Sequence, residues 1–491
     1  MLWLGIHFPY LPLEVFTRES VRQAATVVID AGGRVVLTDA AAAAAGIAPG
    51  GTLASAHSIL PALDHHRRDP AREQRRLRLL AEALYRFSAT VSLAPPGGVM
   101  LEIGASLKLF GDAAHLAGQA EAVCRDLGHE ARARWARTPL AALALARAGA
   151  ASLDDVPLAA AAIEPAHLTA EQIERCANMG VRTLGRLLAL PRRELARRFG
   201  DGLIGYLARL SGDRADPRPG IRPAERFRST LHLLEPLASK EAIVFPMQRL
   251  LTDLQHWLVA RQLGAEQIRW LFVPSGGGRQ AVRLPVRFSA AQQSRDAFLD
   301  ITRLALAEAA LPADVIDLTL EAGRLRPWAP DSHGLFPHQA GGATAADGNI
   351  QALGRLVDQL QARLGRDACC GLVIRDQHTP ERAWVRRPPL ERGPTLLRGP
   401  TQQRGPTLQR VRAAEPAAAG RRPLWLFDPP RAVRRDRLTL LEGPERVHTG
   451  WWLGGGEAGQ ARDYYVAREH DGAQCWVFVD PAEQWFLHGY F

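Results

Sequence analysis

Cysteine is scarce in this sequence, with five residues among 491. Their number is odd, and no two have the C-x-x-C spacing of a zinc or redox motif. A small secreted domain held by disulfides needs an even and denser set, and a structural zinc site needs clustered thiols. The sequence therefore predicts a reduced, cytosolic chain without a zinc site. The five residues are Cys124, Cys176, Cys369, Cys370 and Cys475.

Long apolar runs are missing as well. The longest uncharged stretch, residues 40–63, contains three glycines and two prolines, a combination that argues against a membrane-spanning helix of about 20 apolar residues. The first residues lack the basic start and apolar core of a signal peptide. We therefore expect neither a membrane span nor secretion.

What the chain does have is length and positive charge. A length of 491 residues allows roughly three or four domains of about 100 to 200 residues each. Hydrophobic residues make up 47% and charged residues 23%, which is typical of globular proteins. The formal net charge of +10 favours a polyanionic partner such as nucleic acid. The alternative is that the charge serves solubility in an arginine-rich proteome.

Two short predicted strands end at loops that carry no carboxylate at the positions considered below. Residues 2–8 form an apolar run that ends at Pro9, which predicts a buried strand ending at a loop. Residues 95–112 read as turn, strand and turn. Loops at strand ends are common positions for catalytic groups. Here the available positions are taken by His7, Pro9, Gly97 and Gly98, which carry no acid.

These two stretches resemble the palm of the Y-family translesion DNA polymerases, and more closely the ImuB-type proteins, which descend from that family without its acids. In active members an Asp-x-Asp motif and an Asp-Glu pair hold two magnesium ions for phosphoryl transfer. The resemblance puts His7 and Pro9 in the first motif and Gly97 and Gly98 in the second. It implies a protein that is not an enzyme and has no metal or cofactor.

The alternative is an active polymerase whose acids are displaced. Glu14, Asp30, Glu102 or Asp112 would then supply the carboxylates. Glu102 lies between two apolar residues on its strand and is expected to face a cleft, but one acid does not hold two magnesium ions.

Residues 13–71 are similar to the fingers of the same family. Runs at 25–30 and 34–38 predict a hairpin around a glycine turn, followed by helices at 40–45 and 53–60. In active members the first of these helices presents Tyr and Arg to the incoming triphosphate. The matching residues are Ala40 and Ala43, and the later triphosphate-binding lysine matches Leu143. The resemblance therefore implies that the nucleotide clamp is lost.

The clearest DNA-binding pattern begins at Thr169. A capping box opens a helix to Met179, residues 180–183 form a turn, and a second helix ends near Leu190. This helix-hairpin-helix is similar to the Y-family thumb and would point turn amides and a helix N-terminus at a phosphate. The alternative is a plain helical hairpin packed on a core. The predicted DNA-binding residues are Gly180, Val181, Arg182, Thr183, Arg186, Arg192 and Arg193.

The complete prediction is an α+β multidomain fold of the right-hand Y-family type with a small C-terminal module. A helix is expected at 73–91, strands at 227–234, 268–273, 280–288 and 315–321, helices at 243–261, 294–306 and 350–364, and a strand at 371–374. The expected domains are palm-like 1–12 and 72–157, fingers-like 13–71, thumb-like 158–222, little-finger-like 223–325, a clamp-binding and helical extension 326–390, a disordered linker 391–420 with repeated Arg-Gly-Pro-Thr, and an aromatic-rich partner-binding module 421–491.

Leu335 and Phe336 lie in a polar segment and look like a weak version of the peptide by which bacterial polymerases hold the sliding clamp. The alternative is a loop anchor that packs on the preceding domain. The module at 421–491 matches the tail of ImuB-type proteins through motifs such as Gly-Trp-Trp at 450–452.

The resemblance implies a catalytically silent scaffold of induced mutagenesis, cytoplasmic and associated with the bacterial nucleoid. Its implied partners are DNA without sequence preference, the sliding clamp, the error-prone polymerase ImuC and the RecA-like protein ImuA. A DNA-binding repair factor that recruits nothing is a further alternative.

Overall fold

A computed structural model of the chain describes most of its residues in two compact units, Met1–Gly365 and Arg366–Phe491. The predicted clamp-binding pair Leu335 and Phe336, the Arg-Gly-Pro-Thr repeats and the Gly-Trp-Trp motif lie outside the described residues. In the part that is described, no helix combines the length and the apolar character needed to cross a membrane. The described residues are 1–18, 24–161, 168–276, 280–312, 314–328, 343–374, 380–387, 389, 422–449 and 460–491.

The elements of the first third alternate between strands and helices. In chain order they are β1 Trp3–His7, α1 Leu11–Thr17, β2 Thr26–Ile29, β3 Val35–Thr38, α2 Ala40–Ala44, α3 Leu53–Ile59, β4 Asp64–Arg67, α4 Pro70–Leu84, β5 Val91–Ala94, β6 Gly98–Glu102, α5 Leu107–Phe110, α6 Ala113–Asp126, β7 Arg132–Ala136, α7 Pro139–Ala148 and α8 Leu158–Ala161.

The later elements begin with a helical group and continue with longer strands. They are α9 Ala170–Asn178, α10 Leu184–Leu188, α11 Arg192–Phe199, α12 Asp201–Ser211, β8 Arg228–Leu237, α13 Lys240–Arg261, β9 Leu263–Pro274, β10 Val282–Gln292, α14 Arg295–Glu308, β11 Val315–Pro327, α15 Ala343–Leu364, β12 Gly371–Ile374, β13 Trp384–Arg387, β14 Trp425–Ala432, β15 Leu438–Thr449, β16 Gln460–Glu469, β17 Gln474–Val479 and β18 Trp485–Tyr490.

The first strand occupies the interior of a four-stranded antiparallel sheet with the order β5-β6-β1-β7. Because side chains alternate along a strand, β1 serves two cores. Leu4, Ile6 and Phe8 belong to the core with α4 and α6, whereas Trp3 belongs to the core with α7 and the helices α9 to α12. The sheet is therefore covered by helices on both faces.

Gly5 lies on the face of β1 that α7 covers. A Cβ at this position would stand 2.5 Å from the backbone carbonyl carbon of Ala142 and from the backbone nitrogen of Leu143. Only glycine lets the helix backbone approach the strand this closely.

The predicted hairpin and two helices of residues 25–60 are present, and β2 pairs with β3 antiparallel and with β4 parallel. The turn uses Gly33 at φ +75°. The predicted helix 73–91 is wrong at its end, because α4 stops at Leu84 and Val91 begins β5. The Ser88 hydroxyl donates to the carbonyl of Glu102 at 2.5 Å and accepts from the amide of Thr90. These side-chain hydrogen bonds take the place of the backbone hydrogen bonds that would continue the helix.

All six elements predicted between 227 and 321 are present. Their strands form an antiparallel sheet with the order β10-β9-β11-β8. Helices α13 and α14 pack on this sheet and bury Trp270, Phe272 and Leu318. The helix predicted from 350 begins earlier, at Ala343, and belongs to the first unit through Asp358, whose carboxylate accepts from the amide of Ser289 at 2.7 Å.

A buried ion network joins the first sheet's helices to α13. Asp253 of α13 accepts from Arg18 at 3.1 Å and from Arg76 of α4 at 2.9 Å. Both arginines also donate to the carbonyl of Leu127, at 2.8 and 2.9 Å. Arg261, at the end of α13, donates to Glu82 of α4 at 3.0 Å. These contacts fix α13 against α4 within the first unit.

The second unit contains the two-stranded pair β12-β13 and a five-stranded sheet with the order β14-β18-β17-β16-β15. Tyr464 and Trp476 stack at 4.0 Å between ring centroids in its core. Glu381 accepts from Arg462 at 2.5 Å, so the segment before the repeats packs on the sheet that follows them. The stretch 326–390 thus contributes to both units.

Replacing Gly5 with Ala tests the close contact of β1 and α7. The added methyl group overlaps the α7 backbone, so we expect the free energy of unfolding to fall by about 1–3 kcal/mol or more. Urea titration followed by circular dichroism measures this change. The matched control is Gly118→Ala at an exposed position of α6, where a Cβ meets no atom and stability should rise by up to about 1 kcal/mol. Equal effects in the two variants would contradict the close contact.

Candidate functional site

The end of β1 brings together three of the four positions that the resemblance assigns to the lost acids. His7 lies opposite Gly98 in the register of β1 and β6, and its Nδ1 donates to the carbonyl of Gly97 at 3.0 Å. A carbonyl oxygen only accepts, so Nδ1 carries the proton. Pro9 follows in the half-buried turn after the strand.

The His7 imidazole is neutral at physiological pH. Burial lowers its pKa to about 4, and although the bond to Gly97 opposes this shift, Arg147 and Arg132 lower the pKa further. Arg132 is the register partner of His7 on β7. The strand end therefore has cationic neighbours and no anionic side chain at His7, Pro9, Gly97 or Gly98.

Gly98 has no room for a side chain. A Cβ there would stand 2.9 Å from the carbonyl oxygen of Ala94 and 2.9 Å from Cδ1 of Leu143. A Cβ on Gly97 would stand 3.1 Å from the carbonyl oxygen of Phe8. Leu143, which the resemblance assigns to the triphosphate-binding lysine, therefore lies at this strand end and fills it with hydrocarbon.

The two alanines assigned to the triphosphate clamp are exposed on α2. Ala40 and Ala43 are three residues apart and share a face of the helix. Asp39 caps that helix and accepts from the amides of Ala42 at 2.7 Å and Thr26 at 2.8 Å. The methyl groups of Ala40 and Ala43 offer a triphosphate neither a hydrogen-bond donor nor a positive charge.

The four acids considered as displaced ligands have separate structural contacts. Glu14 accepts from His129 and from the amide of Glu130, and burial raises its pKa to about 7. The other three cap local turns or helices: Asp30 accepts from Gly32, Glu102 from Gly104 and Asp112 from His115. Within the described ranges, no three His, Cys, Asp or Glu side chains gather as metal ligands. The residues at the strand end do not fit a magnesium pair.

The predicted helical hairpin is present. Thr169 and Gln172 form the capping box of α9, Gly180 turns the chain at φ +80°, and Thr183 caps α10. Its turn amides are already used in part, since that of Val181 donates to the Cys176 carbonyl. The amide of Leu184 donates to the carbonyl of Val156 at 2.9 Å, and a Cβ on Gly185 would overlap Asp154. The backbone is therefore less open to a phosphate than the pattern predicts.

The arginines of the hairpin differ in their freedom to meet an anion. Arg182 and Arg193 are exposed, and Arg186 is exposed while donating to the carbonyl of Gly180 at 3.2 Å. Arg192 donates to Asp213 at 2.5 Å, which neutralises much of its charge. Arg182 and Arg186 flank the turn and are the best placed side chains for a phosphate contact.

The sequence interpretation missed the arginines near His7. Arg132 comes from β7, about 125 residues after His7 in the chain, and only the strand register brings the two together. An alternating Arg-Ala-Arg pattern at 132–134 was the available signal that one face of β7 is polar. Arg147 comes from the last turn of α7.

No family model matches the chain. ImuB proteins from two strains of Caulobacter vibrioides are each 30% identical to it over 473 residues, which cover 91% of this chain and 100% of theirs. Two solved structures, DinB from Sulfolobus solfataricus and an insertion ternary complex of the Dbh DNA polymerase, match 66% of this chain and 98% of theirs at 13% identity. Their TM-scores are 0.34 and 0.36.

The protein is a multidomain α+β protein, and the solved structures to which it is similar include a Y-family DNA polymerase chimera of Dbh and Dpo4. On the sequence match along almost its entire length, the chain belongs to the ImuB family. Membership associates it with DNA damage tolerance and translesion synthesis.

Replacing Arg182 and Arg186 together with Ala tests the hairpin as a phosphate contact. If both guanidinium groups release counterions on binding, the slope of log affinity against log salt should fall by about one to two units. Fluorescence anisotropy with a labelled single strand at several salt concentrations measures it. The control is the double replacement of Arg283 and Arg303, which removes the same charge from exposed positions on β10 and α14. A slope that changes equally in both variants would assign the effect to net charge.

Proposed function

We propose that this chain is a non-catalytic, DNA-binding scaffold of a damage-induced translesion complex, acting at the nucleoid and linking the sliding clamp to an error-prone polymerase. The observation that carries the proposal is the closed strand end, where His7 bonds to Gly97 and Leu143 covers Gly98. Chemistry of the polymerase type needs a carboxylate cage at that point.

Electrostatics supports the absence of catalysis. The guanidinium groups of Arg132 and Arg147, which lie near the neutral His7 imidazole, repel a magnesium ion where the active enzymes of the fold attract two. The triphosphate side supports it as well, because the side chains of Ala40 and Ala43 bring neither a donor nor a positive charge. The alternative of an active polymerase requires the displaced acids to converge, yet Glu14 bonds to His129 and Glu102 to the amide of Gly104.

DNA binding would come from side chains rather than from the hairpin backbone. Arg182, Arg186 and Arg193 are exposed cations on one hairpin, and a net charge of +10 adds a long-range attraction. Contacts of this kind are made to phosphates and are independent of sequence. The scaffold would therefore hold primed or single-stranded DNA without reading it.

Recruitment would come from two segments that follow residue 325 in the chain. The proposed clamp anchor is Leu335 with Phe336, and the proposed surface for ImuC and ImuA is the module at 421–491. In that module Leu424 is 94% exposed and Trp425 is 67% exposed at the start of edge strand β14. Exposed large apolar side chains on a sheet edge suit a protein partner better than a phosphate backbone.

Primer extension tests the absence of catalysis. We expect no templated incorporation by the full chain with magnesium or manganese, because no carboxylate pair is available to hold either ion. Binding of the same primed DNA, measured by anisotropy in the same sample, is the control for a folded protein. Incorporation that is lost in Glu102→Ala or Asp112→Ala would establish the displaced-acid polymerase instead.

Replacing Leu335 and Phe336 together with Ala tests the clamp anchor. Two apolar side chains entering a hydrophobic pocket are worth roughly 2 to 4 kcal/mol, so micromolar binding to the clamp should become undetectable. The control is Leu353→Ala with Leu356→Ala, a pair that is 46% and 50% exposed on α15. Pull-down with the clamp and a thermal melting curve distinguish a clamp anchor from a domain anchor. Unchanged clamp binding by the variant together with a lowered melting temperature would show that the pair is a domain anchor. If the unaltered chain binds DNA but does not bind the clamp, it is a repair factor that recruits nothing.

A further inference from the structure

Helix α15 is anchored to the first unit by one of its faces. Gly354, Val357 and Asp358 are buried on that face. The carboxylate of Asp358 accepts from the backbone amide of Ser289 at 2.7 Å, and the hydroxyl of Ser289 donates to the carbonyl oxygen of Gly354 at 3.3 Å. Ser289 belongs to β10, the edge strand of its sheet. These bonds fix the rotation of α15 about its own axis.

A row of leucines lies beside the buried face of α15 and is exposed to solvent. Leu353 is 46% exposed, Leu356 50% and Leu364 68%, and Leu360 is half-buried. At 3.6 residues per turn, these four side chains lie within roughly 80° of one another around the helix axis. Single exposed leucines are ordinary, but a continuous row at helical spacing is typical of a helix face that packs against another helix. We call this row the leucine face.

The charged residues on the exposed side of α15 have one sign. Between residues 352 and 364 they are Arg355 and Arg363, and the one acid of this stretch, Asp358, is buried. Arg363 comes seven residues after Leu356 and three after Leu360, so it lies directly beside the leucine face. The apolar row is therefore bordered by positive charge without a neighbouring carboxylate on the exposed part of the helix.

Hydrocarbon and positive charge together define the kind of partner that fits. Nucleic acid would pair with Arg363 but would leave the leucines against phosphates. A second copy of this chain would bring leucines through the same helix, but its exposed charges there are again arginines. From Leu353 to Leu364 the helix rises about 16 Å, which is three helical turns. An amphipathic helix of that length, with apolar residues on one side and carboxylates beside them, complements both features.

We propose that the leucine face of α15 is a docking site for an acidic amphipathic helix of a partner protein. The apolar side of that helix would pack on the four leucines, and its carboxylates would pair with Arg363. Because the opposite face of α15 is already fixed, the site exists before the partner arrives and binding orders little of this chain. The site is additional to the scaffold function and does not depend on it.

Selection from a displayed peptide library, with the full chain as bait, tests the site. The peptides are helices of about 14 residues with leucines fixed at helical spacing and flanking positions drawn from Glu, Lys, Gln and Ala. We expect Glu to be enriched at least about threefold over Lys in the bound peptides, because each flanking carboxylate adds a surface ion pair.

The leucines are tested with the selected peptide. Its affinity, measured by fluorescence anisotropy, should fall at least about tenfold in the variant Leu353→Ala with Leu356→Ala. The control is Ile59→Ala with Leu109→Ala, which truncates side chains that are 47% and 79% exposed on α3 and α5. Its affinity should stay within about twofold of the parent. Clamp binding should be unchanged in the leucine variant, which separates this site from the clamp anchor.

Charge inversion tests the acidic character of the partner without altering a leucine. In the variant Arg355→Glu with Arg363→Glu, the selection should shift from Glu toward Lys. The control Arg75→Glu with Arg125→Glu inverts two exposed charges on α4 and α6 and should keep the preference for Glu. If the leucine variant melts well below the parent, the charge-inverted variant decides the test alone.

Three results would overturn the proposal. Failure to select any peptide, or equal affinity in the parent and the leucine variant, would mean that the leucine face takes no helix. Selection of Lys or of uncharged residues by the parent would exclude an acidic partner. A dimer of the full chain in sedimentation, lost in the leucine variant, would mean that a second copy covers this face. Primer-extension and clamp-binding results bear on the proposed function and on none of these outcomes.

Discussion

The buried carboxylate of Asp253 is the constraint on which the arrangement of the first unit depends. An ionised group away from water is tolerated only if its lone pairs are filled, and here Arg18, Arg76 and the Ser229 hydroxyl fill them. Removing one partner from such a network typically costs about 3–5 kcal/mol. Because Asp253 belongs to α13 and its partner Arg76 to α4, the same network holds the second large sheet against the first.

A second constraint is the absence of side chains at the contact of the first sheet with α7. Gly5 and Gly98 lie on adjacent strands and face that helix, whose backbone and Leu143 occupy the space that a Cβ would need. The strand end is thus packed as a core and not as an open pocket. A fold can keep its strands and helices while the chemistry at one strand end is replaced by packing, which is why function has to be argued from the site.

Local patterns in the sequence predicted most elements correctly. The Thr169 capping box and the glycine turn of the hairpin at 31–33 each depend on residues that are close together in the sequence, and the structure has both. The end of α4 was missed because its leucines run up to Leu84 and no glycine or proline follows to mark the end, while Ser88 bonds across to Glu102. Arg18 and Asp253 are 235 positions apart, so no local sequence pattern predicts their ion pair. The hairpin amide of Leu184 is likewise taken by Val156, from a segment before the helix that the pattern does not include.

The absence of acids at His7, Pro9, Gly97 and Gly98 also has a consequence for stability. Clustered carboxylates without metal repel each other, and enzymes maintain such clusters at the expense of stability because catalysis needs them. At this strand end the side chain of His7 is neutral and satisfied by the Gly97 carbonyl, and Leu143 contributes buried hydrocarbon. An acidic side chain at position 98 would collide with Leu143 of α7 and with the carbonyl oxygen of Ala94, so the packing of this strand end itself excludes a carboxylate there.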